Sequence, residues 1–209
     1  QKEAVIFPIK DSWMYIEGRP FGAPLKGFHG ESFFSMANPE VGSVFTYFIK
    51  DELKTIKDLR KEREKELIKK AEPVPYPSKD SILLEDNQPK PYLLFTIKDA
   101  SGNIVRKLKK DAKKGMNRIV WDFRYSPFGP VDLTQFDESF VFSSPETGYM
   151  ALPGNYKVSL SKFEDGQYSE LVAAIPFKTA ALNNATLPAT DKKVLEEFGK
   201  KVGELRRVS

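Results

Sequence analysis

Polar and apolar positions alternate most cleanly over residues 114–125 (KGMNRIVWDFRY). There Ile119, Trp121 and Phe123 share one face, and Arg118, Val120 and Asp122 share the other. A period of two describes a strand buried on one side, and Trp121 is the largest apolar anchor that face offers. Residues 43–50 (SVFTYFIK), 91–98 (PYLLFTIK) and 154–161 (GNYKVSLS) share this character, and the first is rich in β-branched and aromatic residues. Turn-forming residues join further runs: Asp99 to Asn103 leads into 103–109, and Glu164 to Gln167 leads into 167–178. Strands are therefore expected near 43–50, 91–98, 103–109, 116–124, 155–163 and 167–178. Such strands bury a core only when stacked in two sheets.

Two stretches follow a helical period. Residues 51–70 (DELKTIKDLRKEREKELIKK) carry strong helix formers, acids first and lysines last, which suits the helix dipole. Leu53, Ile56, Leu59, Arg63 and Leu67 trace a thin stripe, and Arg60–Glu64 and Glu66–Lys70 stand at i, i+4. This predicts an exposed, charged helix, followed over 71–80 by an extended return through Pro73, Pro75 and Pro77. Residues 191–207 predict a second helix capped by Thr190, with Val194, Phe198, Val202 and Leu205 on one stripe. A stripe so near the last residue implies a helix cut short or one that pairs with a partner. Residues 1–40 hold two short strand-like pieces, 4–9 and 12–16, and then a loop too aromatic for disorder.

Composition narrows the class. The chain has 209 residues, 40% hydrophobic and 30% charged, enough for a sizeable core. No apolar run approaches the roughly 20 residues that span a bilayer. Cysteine is absent, which removes disulfides, thiolate metal sites and cysteine nucleophiles. The formal charge of +4 is too modest to demand nucleic acid as a partner. Gln1 is followed at once by charged residues, so a targeting segment is expected to have been removed or to lie upstream.

Candidate chemistry is sparse. His29 is the single histidine, and no ligand or base partner stands at a recognisable spacing from it. Asp132, Asp137 and Glu138 fall in the long connection 126–152, and Asp122 is expected to bind backbone N–H groups nearby. No carboxylate pair stands out for glycoside hydrolysis. The segment 99–103 lacks the ligand spacing of a calcium loop and reads as a hairpin turn. Residues 106–118 set Arg106, Lys107, Lys109, Lys110, Lys113, Lys114 and Arg118 against Asp111. That run reads as a solvated hairpin end, since it carries no aromatic platform for single-stranded nucleic acid. The aromatic residues Tyr125, Phe128, Phe136, Phe140, Phe142 and Tyr149 sit in or beside the long connection. They are candidates for a carbohydrate-binding face, or for plugging the edge of the domain against a neighbour.

Three motifs occur in a familiar order: DASGNIVRKL over 99–108, GMNRIVWDFRY over 115–125 and LPGNYKVSL over 152–160. The order resembles the C-terminal immunoglobulin-like region of large bacterial proteins that carry a sortilin-type, BNR-repeat β-propeller. GSVFTYFIKD over 42–51 and the closing helix from LPATD look like that region too. The pattern is more distantly similar to the immunoglobulin-like module of flagellar hook-capping proteins, which has glycine where this chain has Phe123. No propeller blade motif occurs here, so no propeller chemistry is carried over.

The expectation is a mainly β, immunoglobulin-like β-sandwich with an inserted charged helix and a C-terminal helix. Residues 1–40 would form an aromatic, loop-rich segment packed on the sandwich or an upstream domain. Residues 41–180 would form the sandwich with a helical insertion at 51–71, and 181–209 a truncated terminal helix. The resemblance implies a non-catalytic accessory module of an exported (periplasmic or extracellular) bacterial protein, without cofactor or metal. Its partner would be the upstream β-propeller domain of the same polypeptide or another protein. The alternative is a carbohydrate-binding module. Neither nucleic acid nor a membrane span is expected. The contact residues would be the six aromatics above and the stripe Val194, Phe198, Val202 and Leu205.

Overall fold

The computed structural model describes residues 2–15, 38–129, 147–182 and 191–208. Among them are β1 (Ala4–Ile6), β2 (Ser12–Met14), β3 (Ser43–Ile49), β4 (Tyr92–Lys98), β5 (Ile104–Lys110), β6 (Gly115–Trp121), β7 (Gly154–Glu164) and β8 (Gln167–Ala181). The helices are α1 (Ile56–Lys69), α2 (Lys79–Asn87) and α3 (Lys192–Val208). The strands form two sheets, ordered β1-β3-β6 and β2-β8-β7-β4-β5. β2 pairs parallel with β8, and every other pairing is antiparallel.

The period of two explains the core. Phe45, Tyr47 and Ile49 point inward from β3, and Leu93, Phe95 and Ile97 from β4, while their neighbours face outward. Rings from the two sheets meet edge to face between them: Tyr47 on Phe95 at 4.9 Å and Phe45 on Phe177 at 5.2 Å between centroids. Trp121 is fully buried where the two layers close, against Phe123, Tyr156 and Phe177. The arrangement is thus a sandwich-like pair of sheets on one apolar core.

The central strand is shorter than its alternation predicts. β6 ends at Trp121, because Phe123 takes a left-handed φ of 61°. Its ring is buried all the same, so the in–out pattern continues past the point where the ladder stops. Asp122 accepts from the Arg124 N–H, as expected for a carboxylate that ties down nearby backbone. A left-handed L-residue costs roughly 1–2 kcal/mol, which glycine avoids. Both Phe123→Ala and Phe123→Gly should lose about 3–5 kcal/mol of ring packing. The glycine variant should nevertheless be the more stable by about 1 kcal/mol, the reverse of the usual order in regular structure. Paired urea titrations measure this, and an alanine variant at least as stable as the glycine one would contradict the strained backbone.

The helical insertion is longer than 51–71 and contains two helices. α1 begins only at Ile56, behind a capping box in which Thr55 and Asp58 exchange side-chain and backbone bonds. Leu53 lies before the helix and packs on the core. Extended chain then leads to α2, whose start is capped by Ser78. Arg60 ties the helices together, gripping both carboxylate oxygens of Glu85 at 2.6 and 2.8 Å while also bonding Glu64. That guanidinium holds the Glu85 carboxyl below its usual range. Glu66 pairs with Lys69 rather than Lys70. Gln88 anchors the insertion: it accepts from the Ile56 N–H and donates to Asp165 in the β7–β8 turn.

Candidate interaction surface

Residues 123–125 and 149–151 run antiparallel through a short bridge, with Tyr125 N–H donating to the Tyr149 carbonyl and Ala151 N–H to that of Phe123. Arg124 reaches the Gly148 carbonyl at 3.0 Å, and Arg106 reaches the Tyr125 carbonyl at 2.8 Å. This backbone frame sets Tyr125 and Tyr149 side by side. Their rings stack with centroids 4.3 Å apart, and Phe128 stacks on Tyr149 at 5.3 Å. Three of the six candidate aromatics therefore form one pile. Phe136, Phe140 and Phe142 lie outside the described residues, as do His29 and the acidic residues of the long connection.

α3 covers that pile. Asp191 caps its first turn by accepting from the Val194 N–H at 3.1 Å; the expected cap, Thr190, lies outside the described residues. Glu196 accepts from the Tyr125 hydroxyl at 2.8 Å. One and two turns further on, Gly199 lies against Tyr149 and Gly203 against Phe128. A Cβ placed on Gly203 would fall 2.4 Å from the Phe128 ring, so only a residue without a side chain permits this approach.

The docked face of α3 is accordingly Glu196, Gly199 and Gly203, and the apolar stripe points the other way. Val194 is 60% exposed, Phe198 64%, Val202 37% and Leu205 72%. Leu195 joins them at 58%, a residue the stripe at i, i+4 spacing omits. Leu195, Phe198, Val202 and Leu205 alternate spacings of three and four, the pattern of a helix that packs along its length on another surface. Single exposed apolar residues are ordinary, but five on one helix face form a contiguous patch of the kind that marks contact sites. At the opposite end of the chain, Trp13 on β2 is also largely exposed.

The stack gives the domain a pH signature. Burial, with the Glu196 carboxylate adding to it, raises the phenols of Tyr125 and Tyr149, the latter to about 12, and burial raises Tyr156 as well. A phenol with a raised pKa keeps its proton in the folded chain after the unfolded chain has lost its own near about 10. The stabilisation is therefore complete below about pH 10 and declines as the pH climbs towards 12. Phenolate absorbance should rise in two phases, the second belonging to the buried phenols of the stack and its neighbour. A single phase centred near about 10 with the fold intact would contradict the buried stack.

Among the described residues no cluster of His, Cys, Asp or Glu is arranged to hold a metal ion, and no helix is long and apolar enough to cross a membrane. Comparison with known protein families, curated proteins and solved structures found no match.

Proposed function

We propose that this chain is a non-catalytic accessory module of a larger exported bacterial β-propeller protein, and that it makes protein contacts through the outward face of α3. The observation that carries the proposal is the orientation of that helix. It is pinned to the body by a glutamate and two glycines, and its whole apolar face is turned to solvent. Burying such a face on a partner is worth roughly 25 cal/mol per Å2.

An immunoglobulin-like assignment fits this role and has its own support. The orders β1-β3-β6 and β8-β7-β4 agree with strands A-B-E and G-F-C of that sandwich, with no described strand in the place of D beside β6. Tyr156, near the start of β7, donates its hydroxyl back to the Leu152 carbonyl, as the tyrosine corner of such domains does. The order of the sequence motifs points the same way.

Size-exclusion chromatography with light scattering tests the proposal on this chain, alone and mixed with the region encoded upstream. Co-elution is expected, and it should be lost in a Phe198→Glu, Leu205→Glu variant whose far-UV spectrum is unchanged. A chain that ignores the upstream region, or a variant that still co-elutes, overturns it.

A further inference from the structure

Apart from Arg106, which holds the Tyr125 carbonyl, the basic residues of β5 and β6 take no part in the surface above, yet the fold gathers them. β5 is the outer strand of one sheet and β6 that of the other. Between the two edges runs a groove of about 720 Å3. Leu108 and Ile119, both packed on the core, are the apolar part of its lining beside Val44 and Val120. Arg106, Lys107, Lys109, Lys110 and Arg118 also line it, opposed by Glu40 alone.

Two of these cations are fixed by contacts that leave their charge uncancelled. Arg106 is spent on a neutral carbonyl, and the Lys109 ammonium sits 4.0 Å over the Tyr92 ring. Lys107, Lys110 and Arg118 form no ion pair among the described residues. A groove in which cations outnumber the single opposing carboxylate concentrates a positive field and favours an anionic occupant.

The second observation is the edge itself. β6 pairs with β3 through seven residues without a register shift, and no described strand occupies its other side. Natural edges are blunted with proline, bulges or charge. Lysines along β5 blunt β5, but β6 contains no proline and Arg118 is its only charge. The main-chain groups on that side of β6 remain a template for a further strand. The neighbouring cations repel a basic strand and favour an acidic one.

We propose that this groove receives an extended acidic peptide strand. Its main chain pairs with the free edge of β6, and its carboxylates meet Lys107, Lys110 and Arg118, with Arg106 at the back of the groove. Strand addition supplies affinity through the backbone and selectivity through alternate side chains. A nucleic acid is disfavoured, because no aromatic ring of a described residue lines the groove for bases to stack on.

The probe is a fluorescein-labelled peptide of about nine residues, the length of an ordinary strand, alternating glutamate with valine or threonine. Anisotropy titration with the full chain should show binding that weakens as salt rises. N-methylation of alternate peptide nitrogens, which blocks one side of the backbone, should weaken binding about tenfold or more. Lys107→Glu with Lys110→Glu, both at exposed positions, should abolish it without changing the far-UV spectrum. Hydrogen exchange should slow at the amides of β6 when the unmodified peptide is added. No binding overturns the proposal. So does equal binding of the N-methylated peptide, or of heparin with no change at β6, since either makes the groove a general polyanion surface.

Discussion

Trp121→Ala is expected to cost about 3–5 kcal/mol, a large part of the roughly 5–15 kcal/mol that holds a domain folded. The indole is fully buried and meets three rings, with centroids 5.7 Å from Phe123, 5.0 Å from Tyr156 and 6.0 Å from Phe177. Those three rings come from the turn after β6, from β7 and from β8, so one deletion loosens both sheets. The cavity cannot collapse easily, because Tyr156 and Phe177 are held by strands of their own and the Phe123 carbonyl is bound by the Ala151 N–H. The indole N–H adds a second role: it donates to the Arg124 carbonyl at 2.9 Å and fixes the turn that carries Tyr125. Trp121→Phe should therefore cost less, about 1–3 kcal/mol, yet more than its lost volume alone implies. Urea unfolding followed by circular dichroism measures both variants. Fluorescence gives an independent check, since the other tryptophan, Trp13, is exposed and the blue-shifted emission should vanish with Trp121. A loss below about 1 kcal/mol for the alanine variant would remove Trp121 from the centre of the core.

Gly203→Leu is expected to detach α3 while leaving the sheets folded. Glycine inside a helix is normally a defect, and replacing it adds up to about 1 kcal/mol of helix propensity. Here the sign should reverse. Even one carbon at this position overlaps the Phe128 ring, and overpacking of this kind costs about 1–3 kcal/mol. Gly199→Ala meets Tyr149 at 3.0 Å and should do milder harm. Amide exchange resolves the outcome: α3 should lose protection in Gly203→Leu, while β4, β7 and β8 keep theirs. Unchanged protection of α3, or a variant more stable than the parent, would mean that the glycine face is not the docked one.

Much of the sheet architecture is legible in the sequence, because half-buried strands write their faces at a period of two. The segments around Phe45, Phe95 and Val158 all appear as strands within a residue or two of the expected limits, and the one around Ile119 starts one residue before its expected limit and stops three short of its end. The exceptions have physical causes. Alternation carries through Phe123 because it records burial, whereas the ladder stops on a backbone angle that no hydropathy pattern contains. α2 escapes notice because Ile82, Leu83 and Leu84 are contiguous rather than periodic, and because three prolines just before them suggest extended chain. Ser78 was the available signal, a helix cap followed by Asp80 in the first turn.

The candidate surface shows a sharper limit. A helix with one apolar stripe is ordinarily read as packing through that stripe, yet α3 packs through Glu196, Gly199 and Gly203. Glycines carry no hydrophobic signal, and their value lies in what they allow a neighbouring ring to do. Only the placing of Tyr149 and Phe128 reveals it. The basic run is similar: in sequence it is a stretch of lysines near a hairpin, and the turn into β6 folds it around a groove between strands of different sheets.

β1 and β2 divide the first strands of the chain between the two sheets, and the parallel pairing of β2 with β8 has a mechanical consequence. Tension applied between the start of β2 and the end of β8 drags the two strands past each other along their length. The bonds that join residues 12–14 to residues 179–181 are then loaded together, in shear, instead of opening one after another as at the end of a hairpin. Through β1 and its pairing with β3, the same pull is shared with the opposite sheet. A strand pair of three residues thus acts as a clasp, placed where a load passing along the polypeptide would have to go through it.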